Sequence, residues 1–122
     1  TPLFNACHNG NETIIKYLVE LGAGINKENN VGYTPLFNLC ENGNEAIVNY
    51  LVEHGAEIDK ENKFGETPLF NACYNGNEAI VKYLVEYGAD IYKVNKRGQT
   101  PLSIAQKNGN KAIIKYLVEH GA

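Results

Sequence analysis

The apolar positions of the chain fall into short amphipathic stretches that recur. In residues 45–53, Ile47, Val48, Tyr50, Leu51 and Val52 occupy one broad side of a helix of 3.6 residues per turn, while Asn49 and Glu53 point away. Gly55 ends that helix. A shorter helix precedes it: Thr34 offers a hydroxyl at the N-cap, and Pro35 stands at the first helical position, where its missing N–H costs nothing. Asn42-Gly43 closes the short helix, because both residues tolerate the left-handed conformation common at helix C-termini. Asn44 then caps the second helix, with Glu45 set against its positive end. The pattern predicts a helix-turn-helix pair. Between this pair and the next, the segment from Glu57 to Glu66 is polar. Gly65 suits a turn that needs positive φ, so an extended, hairpin-like finger is expected there.

The unit recurs without a slip in register. T-P-L-F-N-A-C stands at Thr1 to Cys7 and again at Thr67 to Cys73, T-P-L-F-N-L-C at Thr34 to Cys40, and T-P-L-S-I-A-Q at Thr100 to Gln106. Y-L-V-E-x-G-A closes each copy, at Tyr17 to Ala23, Tyr50 to Ala56, Tyr83 to Ala89 and Tyr116 to Ala122. The spacing is the period of about 33 residues of an ankyrin repeat. On these strings, with A-C-x-N-G and I-V-x-Y-L-V between them, the chain resembles the ankyrin family over essentially its whole length.

The resemblance implies an all-α fold: an ankyrin-repeat solenoid of stacked helix-turn-helix pairs joined by short β-hairpin-like fingers. Its repeats would fall at about 1–33, 34–66 and 67–99, with 100–122 as an incomplete, cap-like last copy. Two departures stand out. Where the family usually has histidine after T-P-L, this chain has Phe4, Phe37 and Phe70; after the mid-repeat glycine it has Asn11, Asn44, Asn77 and Asn110. Phenylalanine then substitutes packing for a buried polar pair, worth roughly 1.5 to 3 kcal/mol when fully buried, before entropy is counted.

One helix pair cannot bury its apolar side alone, so neighbours must stack. Ser103, Gln106, Lys107 and Lys111 make the last copy more polar, as a C-terminal cap requires. The first copy has no such change. Its face around Phe4, Ile14 and Leu18 is expected to be open, which points to a longer array or to end-to-end contacts of an otherwise monomeric protein.

Charge and candidate chemistry narrow the function. The net charge is −3 and the lysines lie scattered among glutamates, so no basic stripe is present to neutralise a phosphate backbone, and nucleic acid is not the expected partner. No apolar run approaches the roughly 20 residues of a membrane span, so no membrane partner is expected either. Cys7, Cys40 and Cys73 share one repeat slot and are expected to be small buried thiols. Stacked helices about 8 to 10 Å apart are too distant for a disulfide, whose Cα atoms lie closer than about 7 Å. A reducing, cytoplasmic setting follows.

No C-x-x-C is present, and His8, His54 and His120 do not share a repeat slot with a carboxylate, so no metal ligand set or cofactor site is spelled out. Cys7 and His8 are adjacent and diverge on a helix, so they are no nucleophile–base pair. Ser103 has no triad motif, and no glycine-rich loop leads into a lysine-serine pair. Asn11-Glu12-Thr13 fits a glycosylation acceptor, but helix capping explains Asn11 better. Glu12–Lys16 and Glu78–Lys82 are solvated helix pairs. No enzyme active site is expected.

The copies serve as their own comparison set. Positions that differ between them should lie outside the shared core. They are His8, Glu41, Tyr74 and Lys107 near the end of the first helix; Leu21, His54, Tyr87 and His120 near the end of the second; and, in the fingers, Val31, Phe64 and Arg97, then Tyr33, Glu66 and Gln99. The family resemblance implies that fingers and first helices line a concave, partner-facing side. Tyrosine and arginine are the residues interface hot spots favour. The expected protein-binding residues are therefore Tyr33, Glu41, Phe64, Glu66, Tyr74, Tyr87, Tyr92, Arg97 and Gln99. The alternatives are a structural or self-associating spacer, and a regulatory segment of a larger enzyme.

Overall fold

The computed structural model describes residues 2–42 and 44–122. Thr1 and Gly43, read above as a helix start and part of a helix stop, lie outside the described residues, as does the side chain of Asn42.

Eight helices form in pairs among the described residues: α1 (Pro2–Asn9) with α2 (Glu12–Glu20), α3 (Pro35–Asn42) with α4 (Glu45–Glu53), α5 (Pro68–Asn75) with α6 (Glu78–Glu86), and α7 (Pro101–Asn108) with α8 (Lys111–Glu119). The asparagines that stand where the family has histidine are the N-caps of all four second helices. Asn11, Asn44, Asn77 and Asn110 each accept, through Oδ1, from the backbone N–H three residues on, at 3.0 to 3.2 Å. The glycines after Asn75 and Asn108 take the left-handed conformation that ends a first helix, with φ of 68° and 69°.

The threonine caps are unequal. Thr34 Oγ1 accepts weakly from the Phe37 N–H at 3.4 Å, and the Thr67 hydroxyl makes no capping bond. Thr100 completes a reciprocal capping box, because Ser103 Oγ accepts from the Thr100 N–H at 2.8 Å while the Ser103 N–H donates to Thr100 Oγ1 at 3.1 Å. Ser103 is therefore more than a solubilising change: it supplies the hydroxyl that Phe37 and Phe70 lack.

The fingers are tight turns, and no strand forms among the described residues. Their organising residue is an asparagine that recurs with the repeat. Oδ1 of Asn29 accepts from the N–H groups of Val31 and Tyr33, Asn62 from Phe64 and Glu66, and Asn95 from Arg97 and Gln99, all at 2.9 to 3.0 Å. One side chain thus performs locally what a strand ladder would otherwise do. Successive fingers are joined by single backbone bonds, Lys63 N–H to the Val31 carbonyl and Lys96 N–H to the Phe64 carbonyl, each 3.0 Å.

The first helices pack against one another in file, α1 on α3 on α5 on α7, and the second helices touch more lightly. Leu36, Phe37, Leu69, Phe70, Ile80, Leu84 and Ile104 are buried along the continuous core between them. Both ends show what the stack covers. Ile47, Ile80 and Ile113 are buried, yet Ile14 in the same slot is 46% exposed, and Phe4 and Leu18 are half-buried. At the other end Gln106 is exposed where Cys7, Cys40 and Cys73 are buried, which agrees with a polar terminal surface.

On the second-helix side an aromatic file crosses the repeats. Lys16 Nζ lies 5.5 Å from the Tyr50 ring centre and Lys82 Nζ 5.7 Å from that of Tyr116. At the middle junction the lysine slot is Asn49, and the Tyr83 hydroxyl donates to its Oδ1 instead. Each of these tyrosines also meets the ring four residues later: Tyr50 stacks on His54 at 4.0 Å and Tyr83 on Tyr87 at 4.4 Å, while Tyr116 and His120 are tilted at 4.1 Å between centres. His54 Nδ1 and His120 Nδ1 each sit 2.8 Å from the tyrosine carbonyl one turn back. A carbonyl only accepts, so each Nδ1 carries the proton.

Candidate partner-binding face

The turn chemistry of the fingers places the variable residues. Because Asn62 Oδ1 holds the Phe64 and Glu66 N–H groups, the side chains of Phe64 and Glu66 flank the turn on α5's side, and Asn95 does the same for Arg97 and Gln99. Tyr33, Phe64, Glu66, Asn71, Tyr74 and Arg97 line one open cleft of about 240 Å³ between the fingers and the first helices. Phe64 is 45% and Tyr74 42% exposed.

The polar groups of the cleft are held from below. Asn95 Nδ2 donates to Glu66 Oε2 and to Gln99 Oε1, each 3.0 Å, which fixes the carboxylate of one finger to the amide of the next. Asn62, the matching residue one repeat earlier, is buried, and its Nδ2 has no acceptor among the described residues. In its register Tyr33, whose ring stacks on Phe37 at 4.8 Å, stands where Glu66 stands relative to Asn95, and Glu66, in the slot of Gln99, gives its carboxylate to Asn95. Burial pushes the Tyr33 phenol up, and the carboxylates of Glu66 and Glu41 add to it. Burial likewise raises Tyr74, with Glu66 adding and Arg97 opposing.

Of the residues expected at a partner face, the structure brings Tyr33, Phe64, Glu66, Tyr74 and Arg97 together, with Glu41 and Gln99 at the margins. It does not bring Tyr87 and Tyr92 there. Tyr87 follows α6 and stacks on Tyr83 among the second helices. The Tyr92 hydroxyl reaches over Gly121, where a Cβ would meet it at 2.7 Å. Asn71 was missed, because it matches Asn5 and Asn38 and so carries the mark of a core position. It does both jobs, lining the cleft while its Nδ2 donates to the Phe37 carbonyl of the preceding repeat at 3.1 Å.

The cysteines take no part in the cleft. Cys7, Cys40 and Cys73 are buried thiols, and burial pushes Cys7 and Cys73 up to about 12 and Cys40 further. Relative to an ordinary 9.0, a thiol at about 12 holds roughly a thousandth of the thiolate at pH 8. All three are expected to label slowly with a maleimide in the native state and rapidly in denaturant, read by mass. Fast native labelling at Cys40 would contradict the packing. Among the described residues no group of three or more His, Cys, Asp and Glu is placed to hold a metal ion, and no helix is long and apolar enough to cross a membrane.

Paired short helices at a fixed period, each pair resting on the last, define an α-solenoid, a class that presents extended surfaces built from successive repeats. The chain belongs to the ankyrin repeat family: the family model for ankyrin repeats, in three copies, matches residues 1–62 and 40–122. No curated protein matches the chain.

Proposed function

We propose that this repeat array is a protein-binding module whose partner seats on the finger and first-helix face, around Tyr33, Phe64 and Tyr74, with Glu41, Glu66, Arg97 and Gln99 around them. The observation that carries this reading is the cleft itself. The half-buried ring of Tyr33 and the exposed rings of Phe64 and Tyr74, from two successive fingers and one helix, converge on it with the Arg97 guanidinium and a carboxylate held by Asn95. Rings that lose few rotamers on binding, beside an arginine, are the composition of interface hot spots. Family membership supports the same reading, since a solenoid without built-in chemistry acts through its surface. Tyr87 and Tyr92 fall outside the proposed face by position, Tyr87 stacked on Tyr83 at the end of α6 and Tyr92 beside Gly121. A reducing, cytoplasmic setting fits the three buried thiols.

Tyr74→Ala is expected to weaken a partner by about 1 to 2 kcal/mol, while its melting temperature stays near that of the parent because the ring is exposed. Calorimetric titration and thermal melts on the same variant check this. Lys82→Ala, on the second-helix side, is the comparison. Should Lys82→Ala abolish binding while Tyr74→Ala leaves it intact, the second-helix surface becomes the site.

A further inference from the structure

The three rows of variable positions form a grid across the repeats. One column holds Val31, Tyr33 and Glu41, the next Phe64, Glu66 and Tyr74, and the last Arg97, Gln99 and Lys107. The charges are sorted along it: both carboxylates, Glu41 and Glu66, lie in the first two columns, and both cations, Arg97 and Lys107, in the third. Glu41, Arg97 and Lys107 are exposed, and Lys107 stands in the last turn of α7, in the slot Tyr74 fills on α5. Lys63, exposed next to Phe64 in the middle finger, offsets Glu66, and the exposed Lys96 adds to the cations of the third column. Phe64 and Tyr74 occupy the middle, where Glu66 and Lys63 oppose each other, so the face is acidic at the Glu41 end, ring-bearing without net charge at the centre and basic at the Arg97 and Lys107 end.

Stacked helices are spaced about 8 to 10 Å apart, and an extended chain advances about 3.3 Å per residue. Neighbouring columns are therefore roughly three residues of extended peptide apart, and a short segment meets all three. Sorted charge of this kind selects a partner whose charges run oppositely and penalises one with like charge at either end.

We propose that the groove takes an extended peptide segment with a large apolar or aromatic residue at its centre, a basic residue on the side facing Glu41, and an acidic residue on the side facing Arg97 and Lys107. This rests on the binding face argued above and adds the chemistry of the occupant.

The test is selection from a random peptide display library long enough to cross three repeats, with the intact chain as bait. The selected peptides are expected to carry an aromatic or large apolar residue flanked by opposite charges, and the synthetic winner should lose at least about tenfold in affinity against Tyr74→Ala. The double variant Arg97→Glu, Lys107→Glu makes both ends acidic. It should bind that peptide at least about tenfold more weakly, with the difference shrinking at high salt, and its own selection should return peptides with basic residues on both sides. Circular dichroism and melting of the variants, with Arg97→Gln, Lys107→Gln as the milder pair, separate lost binding from lost folding. Flanks of one sign or of no consistent charge, or no enrichment at all, would overturn the proposal. Dependence on Tyr74 without dependence on the charges overturns this inference alone, whereas binding indifferent to Tyr74 removes the face as well.

Discussion

Phe70→Ala is expected to cost about 3 to 5 kcal/mol of stability, the range for truncating a fully buried aromatic ring. Phe70 has no exposed surface, and it stands at the third position of α5, inside the file of first helices that forms the densest part of the stack. A domain of this length holds about 6 to 18 kcal/mol in total, so the loss would be a large share. In a repeat array it would also weaken the coupling of the first two repeats to the last. The same slot provides internal controls. Phe4 is half-buried in the uncovered first repeat, so Phe4→Ala should cost distinctly less. Ser103 already lacks the ring and spends its hydroxyl on the α7 capping box. Urea unfolding of the two phenylalanine variants measures the difference. A Phe70→Ala loss below about 1 kcal/mol would mean that the core reading is wrong.

Leu84→Ala is expected to cost about 2 to 5 kcal/mol, depending on how far the site closes around the missing atoms. Leu84 is fully buried on the inner side of α6, with Ile80 and Val81 one turn back. Leu18 fills its slot in the first repeat and is half-buried there, so Leu18→Ala should be the milder change. Thermal melts rank the two. Equal losses would show that the first repeat is covered in solution by something other than the residues described.

Much of the fold was legible because each repeat states its own boundaries. The N-G and N-E strings predict where the helices stop and start, and the amphipathic stripe predicts which side of the second helix is buried; Asn77 and Ile80 meet both expectations. The finger interior was less legible. It reads as a polar segment with a glycine, and nothing local announces that Asn29, Asn62 and Asn95 each hold two backbone N–H groups. Variation between copies found Phe64, Tyr74 and Arg97 because those side chains are exposed and the shared core does not constrain them. The same criterion drew in Tyr87, since variation reports freedom from the core and carries no information about which side of the stack a residue lies on. The pairing of Tyr83 with Tyr87 follows from four-residue helical spacing at the end of α6. Asn71 failed the criterion for the opposite reason: it matches Asn5 and Asn38, although in this copy its side chain also bonds the preceding repeat.

The two edges of the stack are joined by different forces. Along the first helices, repeats are pressed together by buried rings and aliphatic side chains, whereas the fingers are tied by polar contacts: one backbone hydrogen bond per junction, the ion pairs Lys60–Glu28 and Lys93–Glu61, and side-chain bonds such as Asp90 N–H to Asp59. The two edges thus answer to different conditions: apolar burial holds the helix edge at any ionic strength, while the exposed ion pairs of the finger edge weaken as salt rises.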